Sequence, residues 1–250
     1  MKTSNKILTS GLAVLFTILL ASAIYIKREI FAQTKTIRTE TTKAESTLEN
    51  FSGISVEGNY DVNITKGDPK ISIQGEKEFI DKIDYFIKEN RLIITQKGEN
   101  RTITIRSNSR LTINVFTNEL NDVHSAGNSD ININSAYESE NIKLSITGNG
   151  DIVSQFSGKN IDVNSVGNGE IKNTGKSENL EITQLGNGDI LFYGSPADNA
   201  TVSLTGNGTI KVHCNTKLDA NLIGNGDIRY KGEAQVSKNK TGNGDISKDE

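Results

Sequence analysis

The residues of this chain with the clearest capacity for chemistry are carboxylates that recur every 18 to 21 residues or so. Each follows a Gly-Asn-Gly-like phrase, and Thr209 interrupts the row once; the acidic members are Asp130, Asp151, Glu170, Asp189, Asp227 and Asp245. Carboxylates stacked about 5 Å apart repel one another unless water or a cation screens them. A calcium site is one hypothesis, but the period is about twice that of the nonapeptide repeat that binds calcium. We therefore expect no metal, and solvated carboxylates that accept backbone N–H bonds.

The remaining candidates for chemistry are His124, His213 and Cys214. The two histidines are far apart in the chain and have no cysteine at ligand spacing, which argues against a zinc site. His213 and Cys214 are neighbours, so in a strand they point to opposite faces and do not form a catalytic pair. Cys214 is the only cysteine of the chain, which excludes an intramolecular disulfide, and we expect it to be buried.

The Gly-Asn-Gly phrase is not a phosphate-binding loop, because no Gly-Lys-Ser/Thr and no helix follow it. Glycan-cleaving β-helices use paired carboxylates, but here no long irregular loop is available to build a cleft. We therefore expect no catalytic residues, no cofactor and no enzymatic activity, with a carbohydrate-active β-helix enzyme as the alternative.

The elements that carry these side chains are the copies of one repeat. Its first glycine recurs as Gly127, Gly148, Gly167, Gly186, Gly206, Gly224 and Gly242. Its fifth position is always isoleucine: Ile131, Ile152, Ile171, Ile190, Ile210, Ile228 and Ile246. Apolar and polar residues alternate before each turn, which predicts strands with one buried face. Gly58-Asn-Tyr-Asp-Val62 is a degenerate earlier copy.

Two architectures fit such a repeat, a parallel β-helix with one unit per coil and an antiparallel meander. Strict identity at equivalent positions favours stacking, because like residues then lie over like. We predict an all-β fold in which residues 50–250 form a single-stranded parallel β-helix of 18–21-residue coils. The seven isoleucines should form one column, buried everywhere except at the terminal Ile246.

The two ends of the stack differ from its middle. Lys238 and Lys240 replace core residues in the last unit and should blunt its edge. Residues 76–91 are compatible with a helical turn or with an irregular strand pair, and strands follow at 92–95 and 102–105.

The first 32 residues indicate a membrane anchor or a signal segment. Residues 7–26 contain no charge, which is long enough for a bilayer-spanning helix. An uncleaved anchor is favoured, a signal cleaved near 21–23 or 30–32 is the alternative, and a buried core helix is the third possibility. Residues 33–49 are polar and indicate a flexible linker, with a short helix near 43–48 as a further option.

The segment from Phe51 to Ile64, FSGISVEGNYDVNI, followed by repeated Gly-Asn-Gly-Asp-Ile, resembles the auto-transporter adhesin head GIN domain family. The resemblance covers roughly residues 50–247. It implies a right-handed β-helix and an exported, envelope-associated protein, periplasmic or on the cell surface. No family binding residues accompany it.

The formal net charge of −3 argues against a nucleic-acid partner, because binding nucleic acid requires a basic surface. We expect an adhesin-like scaffold that presents a β-helix face to polysaccharide or to an envelope protein, with the membrane contacted through residues 7–26. A structural or accessory envelope protein without an adhesive role is the alternative. The sequence assigns no oligomeric state.

Overall fold

The computed structural model describes residues 41–98 and 111–249. These residues form a β-solenoid of about seven turns. The regular part of the coil consists of twelve strands, β8 (Asp122–Gly127), β9 (Asp130–Ile133), β10 (Tyr137–Gly148), β11 (Ile152–Ser154), β12 (Phe156–Gly167), β13 (Ile171–Asn173), β14 (Ser177–Gly186), β15 (Asp189–Gly206), β16 (Thr209–Gly224), β17 (Asp227–Lys231), β18 (Gln235–Thr241) and β19 (Asp245–Lys248).

Each regular coil is built around its Gly-Asn-Gly turn. The strand before the turn pairs in parallel with its equivalent in the next coil, as β10 does with β8 and β12, and the strand after the turn does the same. The register places like residues over like, so Ile142 lies beside Ile161 and Leu144 beside Val163. Identical strands therefore stack their apolar faces into one continuous core, as the repeat predicts.

The N-terminal end is made of seven further strands and one helical turn. Their bounds are β1 (Thr41–Thr47), β2 (Gly53–Gly58), β3 (Asp61–Lys66), β4 (Lys70–Glu76), α1 (Lys77–Ile80), β5 (Ile83–Lys88), β6 (Arg91–Gln96) and β7 (Thr112–Thr117). Both structures considered for residues 76–91 are present, because α1 is followed by the antiparallel hairpin of β5 and β6. The predicted strand at 102–105 lies outside the described residues.

The coils do not stack in sequence order at this end. Strand β2 pairs with β8 on one side and with β6 on the other, so residues 53–66 lie between the coil of β6 and β7 and the first regular coil. The sequence explains this order, because residues 58–62 are a degenerate copy of the repeat. Gly58 pairs with Gly127, and Val62 pairs with Ile131. This degenerate copy therefore continues the glycine and isoleucine columns directly.

Strand β1 corrects the prediction that residues 33–49 are a flexible linker with a possible short helix. Residues 41–47 pair antiparallel with β4, which in turn pairs antiparallel with β7. The edge of β4 would otherwise present unpaired N–H and C=O groups, and the three threonines of β1 suit a strand. The predicted anchor at 1–32 and the rest of the linker lie outside the described residues. Within 41–98 and 111–249, no helix is long and apolar enough to cross a bilayer.

The C-terminal end is closed by lysines. Lys238 lies in register with the buried Ala220, and Lys240 with the buried Leu222, so both occupy core positions of the last coil. Their Nζ atoms donate hydrogen bonds to the carbonyls of Ile246 and Gly244, each at 2.8 Å. The alkyl stems of such side chains cover apolar surface, while the ammonium groups remain hydrogen-bonded. This cover explains why Ile246 is only 6% exposed, which corrects the prediction that it would not be buried.

Candidate functional site

The Gly-Asn-Gly turns form a continuous amide ladder. Each asparagine Nδ2 donates to the Oδ1 of its equivalent in the preceding coil, over 2.7–3.1 Å. The members of this turn ladder are Asn128, Asn149, Asn168, Asn187, Asn207, Asn225 and Asn243. The turn glycines beside them are also in register from Gly127 to Gly224. These residues hold the coils together along one corner.

The acidic row lies beside that ladder and contacts the backbone. The Oδ1 atoms of Asp130, Asp151, Asp189 and Asp227 each accept the backbone N–H of the equivalent residue in the next coil, at 2.8–3.3 Å. One oxygen of each carboxylate is thereby used in a structural bond. Among the described residues, no group of three or more His, Cys, Asp or Glu side chains is placed to hold a metal.

The seven isoleucines lie in one column. Successive members are direct register partners, from Ile131 with Ile152 to Ile228 with Ile246. All seven side chains are at most 6% exposed. The column is therefore a structural core and contributes nothing to a surface site.

The histidines and the cysteine are separated by the fold. His124 lies on β8 and His213 on β16, where His213 is half-buried and its neighbour Cys214 is fully buried. The Cys214 Sγ atom lies 3.0 Å from the Lys217 carbonyl oxygen. Burial raises the pKa of the Cys214 thiol, and a buried neutral thiol is a poor nucleophile.

A concave surface occurs at the second corner of the coils, where the sequence is irregular. The corner groove has a cavity volume of about 740 Å³. It is lined by residues of consecutive coils: Glu138, Ser139, Ser157, Gly158, Lys159, Lys176, Ser177, Glu178, Pro196, Asp198 and Asn215. The sequence predicted no cleft built by a long irregular loop, and this groove is not of that kind. Short corner segments of different sequence leave a groove without any long loop.

A second asparagine ladder forms the ridge beside this groove. We call it the groove ladder: Asn160 donates to Asn141 over 2.8 Å, Asn179 to Asn160 over 3.0 Å, and Asn199 to Asn179 over 3.2 Å. On its other side lies a strand groove of about 370 Å³, and the four asparagines line this groove and not the corner groove. Its lining also includes Lys143, Asp162, Glu181 and Thr201. Two grooves thus flank one row of amides across four coils.

The sequence contains a signal for the groove ladder, although the repeat alone does not mark it as a site. In four consecutive copies an asparagine stands seven residues before the turn glycine, as Asn141 does before Gly148. The corner groove has no such signal, because the residues that line it differ from coil to coil: Glu138 and Ser139, then Ser157, Gly158 and Lys159, then Lys176, Ser177 and Glu178, then Pro196 and Asp198.

Residues 50–234 match the model of the family described as "Putative auto-transporter adhesin, head GIN domain". Among curated proteins, no match to the chain is found.

Solved structures share the fold at low sequence identity. A "putative adhesin" from Bacteroides fragilis is 22% identical with a TM-score of 0.75, and the match covers 84% of this chain and 97% of that one. A "putative adhesin" from Parabacteroides distasonis is 20% identical with a TM-score of 0.66, covering 84% and 98%. A "putative lipid binding protein" from the same organism is 19% identical with a TM-score of 0.67, covering 85% and 98%. One fold thus accompanies two different descriptions, so the ligand must be argued from the site.

Proposed function

The chain belongs to the auto-transporter adhesin head GIN domain family, and from that membership we propose that it is an exported, non-enzymatic binding protein of the cell envelope. In this proposal the solenoid of residues 50–250, right-handed as the family resemblance implies, is a rigid, adhesin-like scaffold. Its long side contacts a polysaccharide or an envelope protein. Related structures described as adhesins support the adhesin-like part of the proposal.

The observation that carries the proposal is the pair of grooves along the groove ladder. Ligand sites are concave and hold a few convergent polar groups, and here such groups repeat in four coils on a scaffold of backbone ladders. Sites built on strands hold their geometry more precisely than sites on loops. This surface supports a binding role in preference to a purely structural one.

The absence of catalysis is part of the proposal. Most acids of the carboxylate row bind backbone N–H groups, and the thiol of Cys214 is buried. Hydrolysis of a glycan needs an acid and a second carboxylate on opposite sides of the scissile bond. A regular surface of this kind is better suited to binding a glycan chain than to hydrolysing it.

We further propose that residues 7–26 anchor the protein in a membrane, because this stretch has no charge and precedes the polar residues 33–49. The full chain is expected to sediment with membranes and to resist extraction with salt. A chain that begins at Gln33 behind a cleavable export signal should stay in the soluble fraction. If that shortened chain still sediments with membranes, attachment does not depend on residues 7–26.

Adhesion itself is testable on cells that display the full chain. Cells that produce the protein are expected to bind polysaccharide-coated or protein-coated surfaces more strongly than cells without it, measured by retention under flow. Soluble protein added in excess should reduce this retention by competition. Equal retention with and without the protein, at verified surface display, would contradict an adhesive role and favour the structural alternative.

A further inference from the structure

We infer that the groove ladder and its two grooves bind a neutral polysaccharide whose chain runs along the solenoid axis. This inference rests on the proposed function and names its ligand class. Four strands at a spacing of about 4.8 Å span about 14 Å, comparable to roughly three hexose units of an extended chain. The repeat of the protein and the repeat of such a ligand therefore nearly coincide.

The amides of the ladder suit hydroxyl groups. A side-chain amide has two N–H donors and two acceptor lone pairs. In the ladder, Asn160 and Asn179 each use one donor and one lone pair for their neighbours. One donor and one acceptor therefore remain in each coil, and Asn179 is exposed to solvent. A sugar hydroxyl both donates and accepts, so it can use the two together.

The wall of the corner groove contributes a polar group that lacks a partner among the described residues. Ser177 is 8% exposed and lines the groove, and its Oγ makes no hydrogen bond within 41–98 and 111–249. The Oγ atom is itself inaccessible to solvent, so it can reach a ligand hydroxyl only when its side chain rotates into the groove. The floor of the strand groove is formed by Ile142, Ile161 and Leu180, which are at most 2% exposed.

The charges of the two grooves select against acidic polymers. The lining contains five carboxylates and three lysines, interleaved along the coils: Glu138, Glu178, Asp198, Asp162 and Glu181 against Lys159, Lys176 and Lys143. Each groove has one more carboxylate than lysine, so a polyanion would meet a net negative charge and be repelled. Carboxylates and ammonium groups at this spacing instead provide strong hydrogen bonds to neutral hydroxyls.

The same lining disfavours a protein ligand. Protein interfaces depend on a few large anchors, chiefly Trp, Tyr and Arg, seated in dry pockets. Neither groove is lined by an aromatic residue or an arginine. Each sugar unit would therefore bind weakly, and we expect affinity to increase with chain length until the chain spans the four coils.

The test is calorimetric titration of the purified full chain with neutral oligosaccharides of glucose, mannose and galactose of increasing length, and with polygalacturonate. The variant Asn160→Ala/Asn179→Ala removes two groove-ladder amides, and Asn168→Ala/Asn187→Ala removes two turn-ladder amides from the same coils. We expect the first pair to weaken binding about tenfold and the second to leave it within about twofold. Both pairs should lower the unfolding midpoint equally.

The inference is overturned if no neutral series binds, if both variants lose affinity equally, or if polygalacturonate binds more tightly. Its failure is separable from failure of the proposed function. If cells displaying Asn160→Ala/Asn179→Ala adhere as well as wild type, the groove is the wrong surface while adhesion stands. If the wild type itself does not adhere, the proposed function fails independently of the groove.

Discussion

Replacing Ile190 with aspartate is expected to destabilise the solenoid by about 4 kcal/mol or more. Ile190 is fully buried, with Ile171 on one side of the column and Ile210 on the other. A carboxylate there has no partner in an apolar environment and must either remain charged at high cost or take up a proton. Because solenoid stability is largely a sum over neighbouring coils, the damage affects two interfaces.

The matched control is Ile246→Asp, in the last coil. Ile246 has one column neighbour, Ile228, and the Nζ of Lys238 donates to its carbonyl. A new carboxylate at this position has an ammonium group nearby and disturbs only one interface, so its cost is smaller. Urea melts followed by circular dichroism measure both variants. Equal shifts of the two midpoints would contradict the view that the last coil is a cap with one interface.

The regular part of this fold was predictable because each copy of the repeat carries the same local information. Gly-Asn-Gly specifies the turn, the following isoleucine specifies the core column, and alternation specifies which face is buried. Once the copies stack, register follows from identity, as the pairing of Gly148 with Gly167 shows. Seven copies make this signal far stronger than any single strand could.

The N-terminal end was not predictable in the same way. The pairing of Gly58 with Gly127 joins residues 69 positions apart and skips the strands between them. Local sequence does not predict this stacking order, because the order depends on which coil is the better pairing partner for β8. The strand β1 illustrates the same point, because its polar sequence becomes ordered only against the edge of β4.

Only one part of the candidate site, the groove ladder, could be predicted from the sequence. The asparagines of the groove ladder recur in fixed register, but a surface ladder and a binding ridge have the same sequence pattern. What distinguishes them is the concavity on either side, and the residues that line the corner groove share no motif. Grooves formed by small differences between adjacent coils require coordinates to be recognised.

Replacing the turn glycine Gly186 with alanine is expected to destabilise the solenoid as strongly as a core charge does. Gly186 has a φ of +138°, a region that L-residues rarely adopt. A Cβ at this position would lie 2.0 Å from the carbonyl oxygen of Gly167 in the adjacent coil. Because the Cβ would contact backbone and not a flexible side chain, the clash can be removed only if the two coils separate. That separation breaks the hydrogen bond from the Asn187 N–H to the Gly167 carbonyl.

Gly98→Ala separates the two contributions to this effect. Gly98 also has a positive φ, +92°, but a Cβ there would meet no atom of residues 41–98 and 111–249 within 4 Å, so the substitution is expected to strain the backbone without a clash against these residues. Its cost should be about 1–2 kcal/mol, the usual penalty for an L-residue in left-handed backbone. For Gly186→Ala we expect at least about twice that loss, together with faster amide exchange in β12 and β14, whose coils must separate, measured by mass spectrometry. If the two alanine variants unfold at the same urea concentration, close approach of the coils is not what requires glycine at the turn, and backbone conformation alone accounts for it.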